Sequence, residues 1–166
     1  MPTHHQGSPQ ETLALDTYIK LSRATESLDT RLSRRNTLSD LTLTQFAVME
    51  ALFHLGALSQ TEIGAKLLKS GGNITLVIDN LQKHNYVERQ RCATDRRIIY
   101  VSLTPEGRAL IADIFPRHLA AIVEEMGVLS AEEQITLGGL LRKLGRGRKG
   151  MHIADDRAVE ALDFEI

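Results

Sequence analysis

Apolar residues recur along this chain in short stripes at helical spacing, interrupted once by a stretch with a different rhythm. Over residues 11–36, Leu13, Leu21, Leu28 and Leu32 fall near one stripe with Ile19 beside it, which predicts a helix. Thr44–Leu55 predicts a second, with Phe46, Met49, Ala51, Leu52 and Phe53 as its apolar surface and Gly56 as its stop. Ser59 followed by Glu62 forms a capping box and starts a short helix over 60–68. The glycines of "KSGG" (69–72) break it, and a new helix begins near Asn73. Its apolar residues, Ile74, Val77, Ile78 and Leu81, follow the i, i+3, i+4, i+7 rule.

Then the rhythm changes. "YVERQR" (86–91) and "IIYVSL" (98–103) are β-prone runs around a polar turn, which predicts a hairpin. Helical spacing returns at "TPEG", where Thr104 suits the N-cap, Pro105 the first helical position and Glu106 the positive end of the dipole. That helix carries Leu110, Ile114, Phe115, Leu119, Ile122, Val123 and Met126, with a kink expected at Pro116. "SAEE" (130–133) caps a last helix with Leu137, Leu140, Leu141 and Leu144 on one side. The predicted organisation is a disordered start (1–10), an N-terminal dimerisation helix (11–40), a central module (41–104), C-terminal dimerisation helices (105–147) and an acidic tail (148–166). The fold class is mainly α, with a winged helix-turn-helix bearing a two-stranded wing.

Charge sharpens this picture. The net charge of −1 hides an uneven distribution. Between Lys66 and Arg97 there are seven cationic side chains against three acidic ones, whereas Gly150–Ile166 holds five acids and one arginine. A basic middle points to a polyanionic partner. The order helix, short helix, tight turn, helix, hairpin is that of a winged helix. The helix from Asn73 offers Asn73, Thr75, Asn80, Gln82 and Lys83 on its polar side, and a helix fits the major groove of DNA. Two arginines, Arg96 and Arg97, sit at the tip of the hairpin, which is narrow enough to enter a minor groove. Asp95 is expected to hold Arg97 or a backbone N–H and so aim one guanidinium. The candidate DNA-binding residues are therefore Ser70, Asn73, Thr75, Leu76, Asn80, Lys83, Arg91, Asp95, Arg96 and Arg97.

The stretch "GNITLVIDNLQKHNYVERQRCATDRRIIYVSLTPEG" resembles the recognition helix, wing and following helix start of the MarR-type winged-helix regulators. The resemblance runs from about Leu43 to Leu144, and "DRR" followed by "LTPEG" is its specific part. It implies a homodimer joined through its terminal helices, two winged helices reading a near-palindromic operator, and repression as the commoner mode. Asp95 and Arg97 match the family's wing pair, and Thr75 and Leu76 match positions that often face the groove. Leu76 departs from the polar or basic residue common there; leucine can touch a thymine methyl but cannot hydrogen-bond. The acidic tail lies outside the family pattern. Dimerisation also follows from the residues, because the first and last helices are apolar on faces that a small winged helix cannot cover alone.

The resemblance further implies a small aromatic effector, phenolic or quinone-like, bound between the dimer helices and the winged helix. Tyr18, Arg23, Phe46 and His54 are the candidate lining residues. Two alternatives share the fold: redox sensing at Cys92, whose thiolate Arg89 and Arg91 would stabilise, or metal sensing by histidines such as His54 and His118. A module for protein contacts alone is the reading from another class; it would not need the basic excess. No Gly-rich phosphate loop, nucleophile elbow or framed carboxylate pair suggests an enzyme, and no cofactor is expected. One cysteine excludes an internal disulfide framework. No apolar run reaches the roughly 18–20 residues of a membrane span, and "MPTHHQGSPQ" lacks a secretory pattern. The expected location is the cytoplasm, in association with the nucleoid.

Overall fold

A computed structural model describes residues 4–68, 70–92 and 98–147. Its elements are α1 (Pro9–Arg34), α2 (Leu43–Leu55), β1 (Leu58–Ser59), α3 (Gln60–Lys66), α4 (Gly71–Lys83), β2 (Val87–Arg91), β3 (Ile99–Leu103), α5 (Pro105–Met126) and α6 (Ala131–Gly145). The mainly α winged helix-turn-helix of the sequence reading is present.

Several boundaries differ from the sequence reading. Helix α1 starts at Pro9, inside the segment expected to be disordered, because Ser8 and Glu11 form a reciprocal capping box with proline at the first turn. Helix α4 starts at Gly71, so the two glycines form its first turn instead of ending α3. The break falls at Leu67–Leu68, where Leu68 takes the left-handed conformation at φ 50°. Pro116 lies inside α5, which runs unbroken from Pro105 to Met126. The sheet has three strands, not two, in the order β1-β3-β2. Two residues of β1 pair with β3 as Leu58↔Val101 and Ser59↔Tyr100. Such a short strand carries too little alternation to be recognised from sequence.

The core sits between α2, α3, α4, the sheet and α5. Met49, Leu52, Ile63, Ile74, Ile78, Leu81, Val87, Val101, Ile111 and Ile114 are all but inaccessible to solvent. Burying such side chains contributes on the order of 1.5–3 kcal/mol each before chain entropy is set against it.

The start of α5 is fastened to the end of α4. Thr104 donates its N–H to the Tyr86 carbonyl at 3.1 Å and its hydroxyl to the Asn85 carbonyl at 2.6 Å. The same hydroxyl oxygen accepts the Gly107 N–H at 3.0 Å and caps the helix. Gly107 has a specific reason to be glycine: a Cβ there would overlap the Tyr86 carbonyl oxygen and stand 2.8 Å from its carbon. The "TPEG" motif is thus a docking joint as well as a helix start.

Helices α1 and α6 are different. Neither buries a residue. Helix α1 is held to α5 by ion pairs: Arg31 Nε to Glu125 at 2.5 Å, Arg35 Nη2 to Glu125 at 2.7 Å and Arg35 Nη1 to Glu124 at 2.5 Å. The hydrogen bonds from these guanidinium groups hold both carboxyls below the usual carboxylate range. Helix α6 has no substantial packing against any other described element of its own chain.

Candidate nucleic-acid interface

Helix α4 buries Ile74, Ile78 and Leu81, and this fixes what it turns outward. Asn73, Leu76, Asn80 and Lys83 recur at i, i+3, i+7, i+10, opposite the buried stripe. Asn73 and Lys83 are exposed, Asn80 is half-buried and Leu76 is 61% exposed. A leucine this open, in the middle of an otherwise polar row, is unexplained by the fold. At the helix N-terminus, Ser70 makes no side-chain cap bond. A Cβ added at Gly71 or Gly72 would meet nothing within 4 Å. The backbone N–H groups of this first turn are therefore open to approach by an anion.

Thr75 and Gln82 lie on the side of α4 that faces the wing stem. The Thr75 hydroxyl donates to the Gly71 carbonyl at 3.0 Å. Arg89 on β2 ties this side down. It meets Asp79 at 2.6 Å, donates to Gln82 Oε1 at 2.7 Å and reaches the Thr75 carbonyl at 3.4 Å. With the Gln60 amide oxygen turned toward it, Arg89 also donates to that group on α3 at 3.1 and 3.2 Å. One guanidinium thus links α3, α4 and the wing stem. Charge-assisted bonds of this number fix orientation better than any single pair. Arg89 was not among the DNA-binding candidates, and its charge is paired with Asp79. No local rule could have found this role, because its four partners span Gln60 to Gln82.

The wing stem is regular. Strands β2 and β3 pair from Val87↔Leu103 to Arg91↔Ile99, and the Cys92 N–H closes the last rung on the Ile98 carbonyl at 3.0 Å. Arg91 is exposed beside the tip. Asp95, Arg96 and Arg97, proposed for the tip itself, lie outside the described residues, as do Lys69 and the acidic tail. Cys92 is half-buried.

The four candidate ligand residues are placed apart. Tyr18 is exposed in an open furrow along α1 that none of the other three lines. Arg23 is exposed on the same helix. Phe46 is a core residue, edge-on to the buried ring of His118 at 4.7 Å. His54 sits where α2 meets α5, with Phe53 and Phe115 edge-on at 5.1 and 4.9 Å and Glu50 at 3.8 Å. His118 links the layers: its Nδ1 is 2.8 Å from the Thr37 hydroxyl in the α1–α2 connection. Burial lowers its pKa from the ordinary histidine value, which favours the neutral ring. Among the described residues, no three His, Cys, Asp or Glu side chains come together as a metal site requires. Nor is any described helix long and apolar enough to cross a membrane.

A short helix, a tight turn, an outward-facing helix locked to a basic hairpin, and terminal helices left uncovered define a winged helix-turn-helix of the DNA-binding regulator class. The chain belongs to the MarR family: the family's profile matches residues 41–99. It is 37% identical over 139 residues to the HTH-type transcriptional regulator MhqR of Bacillus subtilis, covering 84% of this chain and 96% of that one. Among solved structures, it resembles a cysteine-to-serine variant of Escherichia coli MarR complexed with operator DNA, at 27% identity and a TM-score of 0.67, covering 77% of this chain and 95% of the other. It also resembles Bordetella bronchiseptica BpsR, whose DNA binding is regulated by 6-hydroxynicotinic acid, at 26% identity and a TM-score of 0.73, covering 89% and 100%. The protein is a DNA-binding transcriptional regulator and not an enzyme.

Proposed function

We propose that the protein is a homodimeric repressor that reads a near-palindromic operator and leaves it when a small aromatic ligand binds. The observation that carries the reading is the outward row Asn73, Leu76, Asn80, Lys83 on a helix whose orientation Arg89 fixes. In this reading Asn73 and Asn80 hydrogen-bond to base edges, and Leu76 packs on a thymine methyl. Thr75 lies at the edge of the contact. Ser70, Lys83 and Arg91 hold phosphates, as do the open N–H groups at Gly71–Gly72. Arg96 and Arg97, aimed by Asp95, enter the adjoining minor groove.

Two copies are supported by the terminal helices. An isolated helix of 15 residues is marginal in water. Ile135, Leu140, Leu141 and Leu144 on α6, Leu119 and Val123 on α5 and Leu13 and Tyr18 on α1 are all exposed in the single chain. A second copy covers them and sets two recognition helices about 34 Å apart, one turn of DNA. The aromatic effector is supported by likeness to BpsR and by the position of His118 and Phe46, where the dimer helices join the winged helix. A ligand there would bias the angle between the two α4 helices.

The test is selection of duplexes from a random pool, followed by fluorescence anisotropy across a salt series. The expected result is a palindromic motif whose affinity falls steeply with salt. Asn73→Ala should change the selected motif, while Lys83→Ala should weaken all duplexes alike and flatten the salt slope. A chain that selects no motif at low salt is a protein-contact module instead. Thermal shift with phenols, quinones and aromatic acids tests the effector, since a ligand of the folded state raises its Tm.

A further inference from the structure

We propose that the acidic segment 148–166 docks on the outward face of α4 and competes there with DNA, so that the protein carries its own brake on operator binding. This rests on the operator reading above and goes beyond it by giving that face a second occupant, supplied by the chain itself.

The face lacks a counter-charge. Lys83 in the last turn of α4 and Arg91 at the end of β2 are exposed and form no ion pair among the described residues. By contrast, Arg31, Arg35, Arg89 and Arg117 are each matched by a carboxylate. The face also holds Leu76, 61% exposed, and the open N–H groups at Gly71 and Gly72. Its occupant must therefore bring negative charge together with apolar cover. Cations also end α6, in Lys143 and Arg146, but the apolar residues beside them are those assigned to the second copy.

The acidic segment brings both. Asp155, Asp156, Glu160, Asp163 and Glu165 are interleaved with Val159, Leu162 and Phe164, and Arg157 is the one cation from Gly150 onward. Carboxylates stand where phosphate oxygens would, against Lys83, Arg91 and the helix N–H groups. An apolar side chain covers Leu76 as a thymine methyl would. The length suffices. The 19 residues after Gly147 reach about 60 Å when fully extended, against about 33 Å for α5, the element that separates the winged helix from the base of α6. A tether of this kind holds the segment at an effective concentration in the millimolar range, so even a contact of about 1 mM intrinsic affinity lowers the apparent affinity for a duplex severalfold.

The experiment compares the wild-type chain with a full-length variant carrying Asp155→Asn, Asp156→Asn, Glu160→Gln, Asp163→Asn and Glu165→Gln. Anisotropy with a labelled duplex bearing the selected motif should show the variant binding about fivefold tighter at low salt. The gap should close as salt rises, because salt screens the docked segment as well as the duplex. Carbodiimide crosslinking and mass spectrometry provide the second reading. Without DNA, Lys83 should join to a carboxylate of residues 155–165, and adding the duplex should abolish that link. Equal affinity of the two proteins at low salt overturns the proposal. So does tighter binding with no link to Lys83, which is repulsion at a distance, and so does a link to Lys143 in its place or one that survives the duplex. A Lys83 link in a chain that binds no duplex leaves the docking standing and overturns the operator reading instead.

Discussion

The joint at Gly107 supports a quantitative prediction. In Gly107→Ala the new Cβ overlaps the Tyr86 carbonyl oxygen and lies 2.8 Å from its carbon and 3.0 Å from its Cα, all backbone atoms that cannot rotate away. An ordinary contact begins near 3.4 Å, so α5 and the turn before β2 must separate by more than an ångström. Separation lengthens the Thr104 bonds to Tyr86 and Asn85, now 3.1 and 2.6 Å. Losing two part-buried hydrogen bonds costs about 2 kcal/mol, and overpacking adds roughly 1–3 kcal/mol. Alanine returns up to about 1 kcal/mol of helix propensity. The net destabilisation is about 3 kcal/mol, or roughly 6–12 °C in Tm for a chain of this size. Circular dichroism melts and urea titration measure it. Gly72→Ala is the control, because its Cβ meets nothing; its Tm should hold or rise. A Gly107→Ala protein that melts within about 2 °C of wild type refutes the steric account.

Three further outcomes are expected. Arg89→Met keeps the aliphatic stem but removes the links to Asp79, Gln82, Thr75 and Gln60, so operator affinity should fall about tenfold for a stability loss of about 1–2 kcal/mol; equal affinity in anisotropy would show that α4 does not need the link. Leu68→Gly should raise Tm by a few degrees, because a leucine at φ 50° carries about 1–2 kcal/mol of left-handed strain and is 74% exposed; a lower Tm would count against it. His118 has a depressed folded pKa, so the unfolded chain binds the proton more readily and stability falls with acidification. Its contribution is complete above about pH 6.5, shrinks as pH drops toward the folded pKa and is level below it. Urea midpoints for wild type and His118→Gln should therefore converge between pH 7 and pH 5, and parallel curves would remove His118 from the account.

The basic excess between Lys66 and Arg97 also looks different in three dimensions. Arg89 counts toward it in sequence, yet its charge is matched by Asp79 within the module, and Gln82 accepts a further hydrogen bond from it. Among the described residues, the cations of this span that form no ion pair are Lys66, in the last turn of α3, Lys83, in the last turn of α4, and Arg91, on the stem of the wing. Lys83 and Arg91 flank the neutral row Asn73, Leu76, Asn80. Under the proposed function, affinity and sequence preference fall to different side chains, which is why Lys83 and Asn73 variants should differ in kind.

The order of elements was legible in the chain because each rests on short-range physics. Apolar spacing marked α4 and α6, capping pairs marked α3 and α6, and Thr104 with Pro105 marked α5. The same local rule, applied to Ser8 and Glu11, gives the true start of α1. The polar face of α4 was legible too, since burying Ile74, Ile78 and Leu81 forces the opposite residues outward. Tertiary structure decided what depends on distant partners. It drew Leu58 and Ser59 into the sheet, made Gly107 a backbone contact with Tyr86, placed His118 against Thr37 and Phe46, and turned Arg89 into the link between α3, α4 and the wing. Periodicity and capping act within one or two turns of chain; these contacts join residues 7 to 81 positions apart and exist only once the core has closed.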